Sequence, residues 1–411
     1  MPAPKTSFKA LDYYEKFHCI GNACEANCCN SWTILIDKKS YAKYRQIDED
    51  NGTDFFKHVA EKDDYGVISL NAEGNCPYLA DDKLCGMYKN YGESMLSVVC
   101  KIYPRNSRFI QHASTQYMFA VLSCPQVMRL AILRKKRLRF LDLGQPRQII
   151  PGQRTYEGSE RSGEHNQVLD AVHEAFIHLA QQYDTSLNTR MAAMLLLCSR
   201  AGKLAPLHNA EDALTMLEET LHVKNTGFID IPDLPGDIGN QFKIFVLLTT
   251  KLVFLKQSKQ KSSPSLQKLF TIIDKSFAAF GLNSYANVTD EHFSRYAQAQ
   301  SQLIKPYFEA NPHIWENLLS HYLLTSDFPF NKNHAPLYNL IYLGMILLFC
   351  RGLLAGYVLE KGQVSDADFV HVFHTVFREI DHNPQSAKIF NTFAAEIEAN
   401  SIGQIYTILA Y

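Results

Sequence analysis

The sequence predicts a mainly α-helical protein: a loop-rich, cysteine-bearing N-terminal domain with few short strands, followed by an all-α domain. Three observations predict it. Eight of the ten cysteines in the 411 residues lie before residue 125. Beyond residue 166, apolar side chains recur at helical intervals almost to the end. No part of that region carries the strand–turn–helix rhythm of a parallel sheet.

Residues 1–143 form the first predicted unit. It opens on "FHCIGNACEANCCNSW", which places Cys19, Cys24, Cys28 and Cys29 within eleven positions. Cys76 and Cys85 follow in "NCPYLADDKLCGMY", Cys100 in "VVCKIYPR" and Cys124 in "LSCPQ". "SWTILID" and "YGVISL" are the candidate strands. Residues 144–166, rich in Gly, Pro, Ser and charge, read as a linker or surface loop.

Residues 167–411 form the second unit. In "QVLDAVHEAFIHLAQQY", Val168, Val172, Phe176 and Leu179 make one apolar stripe. "TRMAAMLLLCSRAG" predicts a buried helix with Gly202 as its stop signal. "AEDALTMLEETLHV", "QFKIFVLLTTKLVFLKQ", "HFSRYAQAQSQLIKPYFEA" and "ADFVHVFHTVFREID" repeat the helical reading. The run 337–359 is nearly long enough to span a bilayer, but Arg351 would lie mid-span, so a buried core helix is expected and no membrane insertion.

Lysine plus arginine (41) nearly balances aspartate plus glutamate (42), so no global field recruits nucleic acid or an anionic membrane. The first residues lack an apolar signal segment, and a cytoplasmic location is expected. In that reducing pool clustered cysteines hold metal or do redox chemistry more often than they form disulfides. Cys198 and Cys350 sit in apolar helical patterns and read as small buried hydrophobes. Thiolates suit both zinc and iron–sulfur clusters. The single close knuckle, Cys24-x3-Cys28, and the adjacent Cys28–Cys29 pair fit a zinc cage poorly. Iron–sulfur, zinc and inert thiols all stay open on spacing alone.

The pattern C-x4-C-x3-CC-x2-W-x-I-x-I-D (Cys19 to Asp37), with "CPYL…LCGMY" and "VVCKIYPR", resembles the YkgJ-type cysteine-rich domain of zinc- or iron-chelating proteins. The full-length layout, including "WENLLSHYLLTSDFPF", resembles the flagellin lysine-N-methylase (FliB) family. That resemblance implies methyl transfer from S-adenosylmethionine to surface lysines of flagellin and a 4Fe–4S cluster on N-terminal cysteines. Carried over, the ligand set is Cys19, Cys24, Cys28, Cys29, Cys76, Cys85, Cys100 and Cys124, twice what one cluster takes. The alternative is a non-catalytic iron- or zinc-binding or electron-transfer module with a partner-binding helical domain.

Neither a G-x-G-x-x-G turn nor a C-x3-C-x2-C triad is present, so the methyl donor must bind on some other platform. Lysine, with a reference pKa of about 10.4, must lose a proton before it attacks a sulfonium methyl. Asp37, Tyr88, Tyr103 and His112 are possible contributors, each with a structural hydrogen bond as its plainer role. The basic run "RKKRLRF" (134–140) reads as a solvated helix face or a dock for an acidic surface or carboxylate.

Overall fold

The computed structural model describes residues 7–30, 32–51, 55–62, 65–109, 115–144, 153–154, 173, 175–182, 185–204, 236–255, 263–277, 287–326, 328 and 336–410. Two small sheets lie in the N-terminal part. The first contains β1 (Ser7–Leu11), β5 (Arg105–Phe109), β6 (Thr115–Ala120), β7 (Phe140–Asp142) and β8 (Gln153–Arg154), in the order β7-β1-β6-β5-β8. β1 runs parallel to β6, and β5 runs antiparallel to it. No local pattern announces these strands. β1 finds its partner 108 positions away, where the Ser7 and Thr115 hydroxyls also meet, and β5 turns Ser107 and Arg108 inward.

The second sheet is antiparallel, in the order β2 (Leu35–Ile36), β4 (Tyr65–Ile68), β3 (Val59–Lys62), and contains the two strands expected from "SWTILID" and "YGVISL". Helix α1 (Lys38–Asn51) starts beside it. Ile34, Ile36, Tyr41, Tyr44, Phe55, Ile68, Cys76 and Met87 give this lobe a core of its own. Three short helices complete the N-terminal part: α2 (Gly86–Tyr91), α3 (Val98–Ile102) and α4 (Pro125–Ala131). Within 144–166 only Gly144 and β8 are described, and β8 pairs with β5 at Arg108 and Phe109.

The helical part runs α5 (Leu187–Leu204), α6 (Ile238–Phe254), α7 (Pro264–Ser276), α8 (Asp290–Ala299), α9 (Lys305–Ala310), α10 (His313–Thr325), α11 (Pro336–Val358), α12 (Asp366–His382), α13 (Pro384–Glu398) and α14 (Ile402–Leu409). Capping residues set several starts. Ser263 accepts from Leu266 N ahead of Pro264, Asn383 accepts from Gln385 N ahead of Pro384, and Ser365 and Ser401 form capping boxes. Of the stripe expected at 168–179, Phe176 and Leu179 are buried in a helix over 175–180, and Val168 and Val172 lie outside the described residues. The helix expected at "AEDALTMLEETLHV" also lies outside them. Gly202 does not stop α5, which runs on to Leu204; one glycine near a helix end costs about 1 kcal/mol and need not break it.

α11 is the hub of the bundle, packing on α5, α6, α7, α12 and α13 and buried along nearly its whole length. Its mid-helix Arg351 is buried inside the protein, where Nη2 donates to Gln241 Oε1 at 2.9 Å. Gly352 permits a close approach: a Cβ there would stand 2.3 Å from the Phe245 ring. The basic run 134–140 is not helical. Arg134 is held by Asp12 through paired bonds of 2.7 and 2.6 Å, and Leu138 is buried, so neither is available for docking.

One hydrophobic core runs without a break from Leu11, through α4, to Ala410. Polar pins tie α10 to the N-terminal part. Asn317 Nδ2 donates to Ile132 O and Arg134 O, Arg108 Nη2 donates to Leu324 O, and the Tyr13 hydroxyl lies 2.9 Å from His321 Nε2.

Candidate metal centre and adjoining cleft

Loops, not regular elements, bring the thiols together. Cys76 N donates to Cys29 O at 2.6 Å, and an Asn30–Asn75 bridge continues that pairing. A second bridge, Leu79–Cys85, folds the "CPYLADDKLC" segment back so that Cys85 stands at the N-terminus of α2. Cys100 approaches from α3.

The Cys29 thiol is in hydrogen-bonding contact with both Cys28 and Cys85. Those contacts set opposite directions. Cys28 is lowered to about 7, first by Cys29 and further by Arg378, against the effect of burial. Cys85 is lowered to about 6 by Cys29, helped by the Met87 and Tyr88 amides at the helix start. Cys29 itself is raised. Burial pushes Cys76 up to about 11 and Cys100 up to about 12, and both sense Cys28 and Cys85 as neighbouring charges.

These five thiols are therefore one group. Cys19, Cys24 and Cys124 lie to one side of it: Cys24 senses Cys19, and Cys124 senses Cys24 and Cys28. Cys198 and Cys350 are buried in the helical core, as expected. Among the described residues no three or more His, Cys, Asp or Glu side chains are posed as an ion cage. What the fold supplies is thiol proximity, and by donor chemistry the five fit a thiolate-held iron–sulfur group or zinc.

The helical part closes over this group. Arg378 of α12 donates from Nη1 to Asn27 O and from Nη2 to Asn30 O, both at 2.6 Å, so its guanidinium brackets the Cys28–Cys29 pair. Trp32 Nε1 donates to Cys28 O at 2.6 Å. The indole stands 5.2 Å from the His382 ring and 5.7 Å from the Tyr103 ring. A cleft of about 1120 Å³ opens between the cysteine loop and α12, with Asn27, Trp32, His371, His374, Arg378 and His382 on its walls. Burial holds His374 at about 3 and His382 at about 4, so both are neutral near pH 7.

The residues proposed from sequence to assist proton removal scatter. Asp37 accepts from Ser40 N, Ser40 Oγ and Val98 N; those bonds outweigh burial and keep it below the usual carboxylate range. Tyr88 is 53% exposed, and His112 lies outside the described residues. Tyr103 does reach the centre, through Trp32 and His382. His18 gives Nδ1 to Lys16 O. Sequence reading placed α12 as a helix but missed its part in the site. Its signal was present: His371, His374, Arg378 and His382 recur at three- and four-residue spacing through an otherwise apolar, buried helix.

The lobe that carries the thiols is closed by one helix of a helical bundle. The model of the FliB lysine N-methylase C-terminal domain matches residues 173–408, and the chain belongs to that family. The chain is 24% identical over 397 residues to the Lysine-N-methylase of Salmonella typhimurium, covering 92% of this chain and 93% of that protein. The Lysine-N-methylase of Salmonella choleraesuis is 24% identical over 393 residues, 91% of this chain and 92% of its own. The flagellar biosynthetic protein FliU of Salmonella muenchen is 35% identical over 120 residues, 27% of this chain and 68% of its own. No solved structure matches.

Proposed function

We propose that this chain transfers the methyl group of S-adenosylmethionine to ε-amines of surface lysines on flagellin, in the cytoplasm, with a 4Fe–4S cluster held by three or four of Cys28, Cys29, Cys76, Cys85 and Cys100. Family membership supports lysine methylation. The flagellar name of one relative supports flagellin as the acceptor. The observation that carries the cofactor part is the five-thiol group, whose flanking residues Asn27, Asn30 and Asn75 line the cleft and whose Cys28–Cys29 pair is bracketed by Arg378.

The cleft volume is ample for a ligand the size of S-adenosylmethionine. Among the described residues the five-stranded sheet is mixed, with parallel pairs β1–β6 and β5–β8 beside antiparallel ones, and is not a doubly wound sheet. When bound, an iron–sulfur group with an iron free of protein ligand supplies a Lewis-acid point able to anchor the amino-acid end of the donor. The chain's own residues do the rest: Trp32 offers an aromatic face, neutral His374 and His382 offer uncharged walls, and Arg378 holds the loop that carries the thiols.

The test is anaerobic reconstitution followed by mass spectrometry of flagellin after incubation with S-adenosylmethionine. Added methyl mass on lysine with loaded protein, and none with metal-free protein, is the expected result. Loaded protein that leaves flagellin unmodified would refute the reading.

A further inference from the structure

We infer that His374 Nδ1 accepts a hydrogen bond from the ε-amine of the substrate lysine, holding that amine in its neutral form with the lone pair free to attack. This rests on the methylase reading above and adds to it the acceptor-side residue.

His374 lies midway along α12, on the face that lines the cleft with His371, Arg378 and His382. Four residues further on, about 6 Å along the helix axis, stands Arg378, whose guanidinium brackets the Cys28–Cys29 pair. An amine held at His374 is therefore about one helical turn from the clamp on the thiol loop.

The ring is fixed on two sides. The Ser123 carbonyl takes one ring hydrogen bond, and the His371 ring stands 6.0 Å away at a steep angle. A carbonyl only accepts, so the bonded nitrogen, Nε2, carries the proton. The other nitrogen, Nδ1, is buried and has no hydrogen-bonding partner among the described residues. A buried acceptor left without a donor costs about 1–3 kcal/mol. Nδ1 thus keeps a lone pair, in a residue of the cleft wall, that suits an N–H of a ligand. His374 is only 3% exposed. A slender aliphatic stem ending in nitrogen reaches such a recessed atom, and a fused ring system does not.

The charge around the ring selects the neutral amine. Burial holds His374 at about 3, helped by His371, Arg378 and Arg129 and opposed by the Ser123 bond. Two guanidiniums that disfavour an imidazolium there disfavour an ammonium in the same place. The other charged group on this side is Glu25 of the cysteine loop, which pairs with Arg129 of α4 and acts on His371. Among the described residues the cleft's buried carboxylate, Glu379, is taken up by Ser263 N, Asn383 Nδ2 and Ser386 Oγ.

The step balances as follows. The lysine ammonium gives one proton to water and enters as a neutral amine, one N–H of which donates to His374 Nδ1. The amine lone pair forms an N–C bond to the methyl carbon of a sulfonium donor. The C–S bond breaks, and its electron pair stays on sulfur as a neutral thioether. The product is a methylammonium, which the same positive surroundings disfavour and which leaves for water.

The experiment measures methyl transfer to flagellin from about pH 6.5 to about pH 9 with metal-loaded wild type, H374N and H374Q, together with iron content and circular dichroism. Asparagine places an amide oxygen where Nδ1 stands. Glutamine places an amide nitrogen where Nε2 stands and leaves no acceptor at Nδ1. H374N should stay within about tenfold of the wild-type kcat, whereas H374Q should lose on the order of a hundredfold with iron and fold intact. Wild-type kcat/KM should rise about tenfold per pH unit without levelling off, because the free lysine must shed its proton first. H374Q with wild-type kcat, or H374N as slow as H374Q, overturns the inference and leaves the methylase reading standing. Should H374Q fail to fold, a wild-type kcat/KM that levels off within the range overturns the inference alone. A wild type that transfers no methyl overturns the methylase reading and this inference with it.

Discussion

Arg378 Nη1 donates to the carbonyl oxygen of Asn27 at 2.6 Å, joining the helical bundle to the residue that precedes the vicinal cysteines. A partner bond to Asn30 makes the contact two-pronged. Each charge-assisted bond contributes about 1.5–3 kcal/mol. R378A should therefore release the cysteine loop, lower the melting temperature and reduce iron bound per chain. R378K should rescue little, since one ammonium cannot reproduce a planar fork aimed at two carbonyls. Calorimetry and iron analysis check both; full iron occupancy in R378A would count against the clamp.

Serine at Cys28, Cys76, Cys85 or Cys100 should reduce bound metal, because all four belong to the five-thiol group. C198S and C350S should leave metal content unchanged. Each places a hydroxyl in an apolar core and should cost about 1–3 kcal/mol of stability instead. Metal and sulfide assays beside urea unfolding separate the two classes. C19S and C24S test whether the side group contributes a ligand.

Acid should weaken the fold through His321. Burial lowers it from 6.5 to about 4 beside the Tyr13 hydroxyl. Between those values the unfolded chain binds the proton more tightly. Stability is therefore full above about pH 6.5 and falls as pH drops towards 4, by on the order of 3 kcal/mol. Urea midpoints across that range should show the slope, and H321Q should reduce it, with His374 and His382 supplying the remainder.

Two glycines should respond with opposite signs. G352A drives a methyl into the Phe245 ring and should destabilise by about 1–3 kcal/mol. A Cβ at Gly403 meets nothing within 4 Å, so G403A should stabilise by about 0.5–1 kcal/mol. Thermal unfolding of the pair checks the packing around α11.

Much of the fold was legible because helices write their periodicity locally. α6, α11 and α12 fall where the apolar spacing put them, and both short strands beside α1 were visible. The five-stranded sheet was not, since β1 and β6 are distant in sequence and β5 buries polar side chains. The thiols announced themselves by rarity. Their division into a group of five and a group of three depends on the Asn30–Asn75 and Leu79–Cys85 pairings, which spacing does not encode.

The most direct test is the intact mass of flagellin after incubation with S-adenosylmethionine and protein whose cluster has been reconstituted, beside the same protein carrying C28S and C85S. The expected result is lysine methylation by the loaded wild type alone. Equal methylation by the cysteine variant, or none by either protein, would contradict the account.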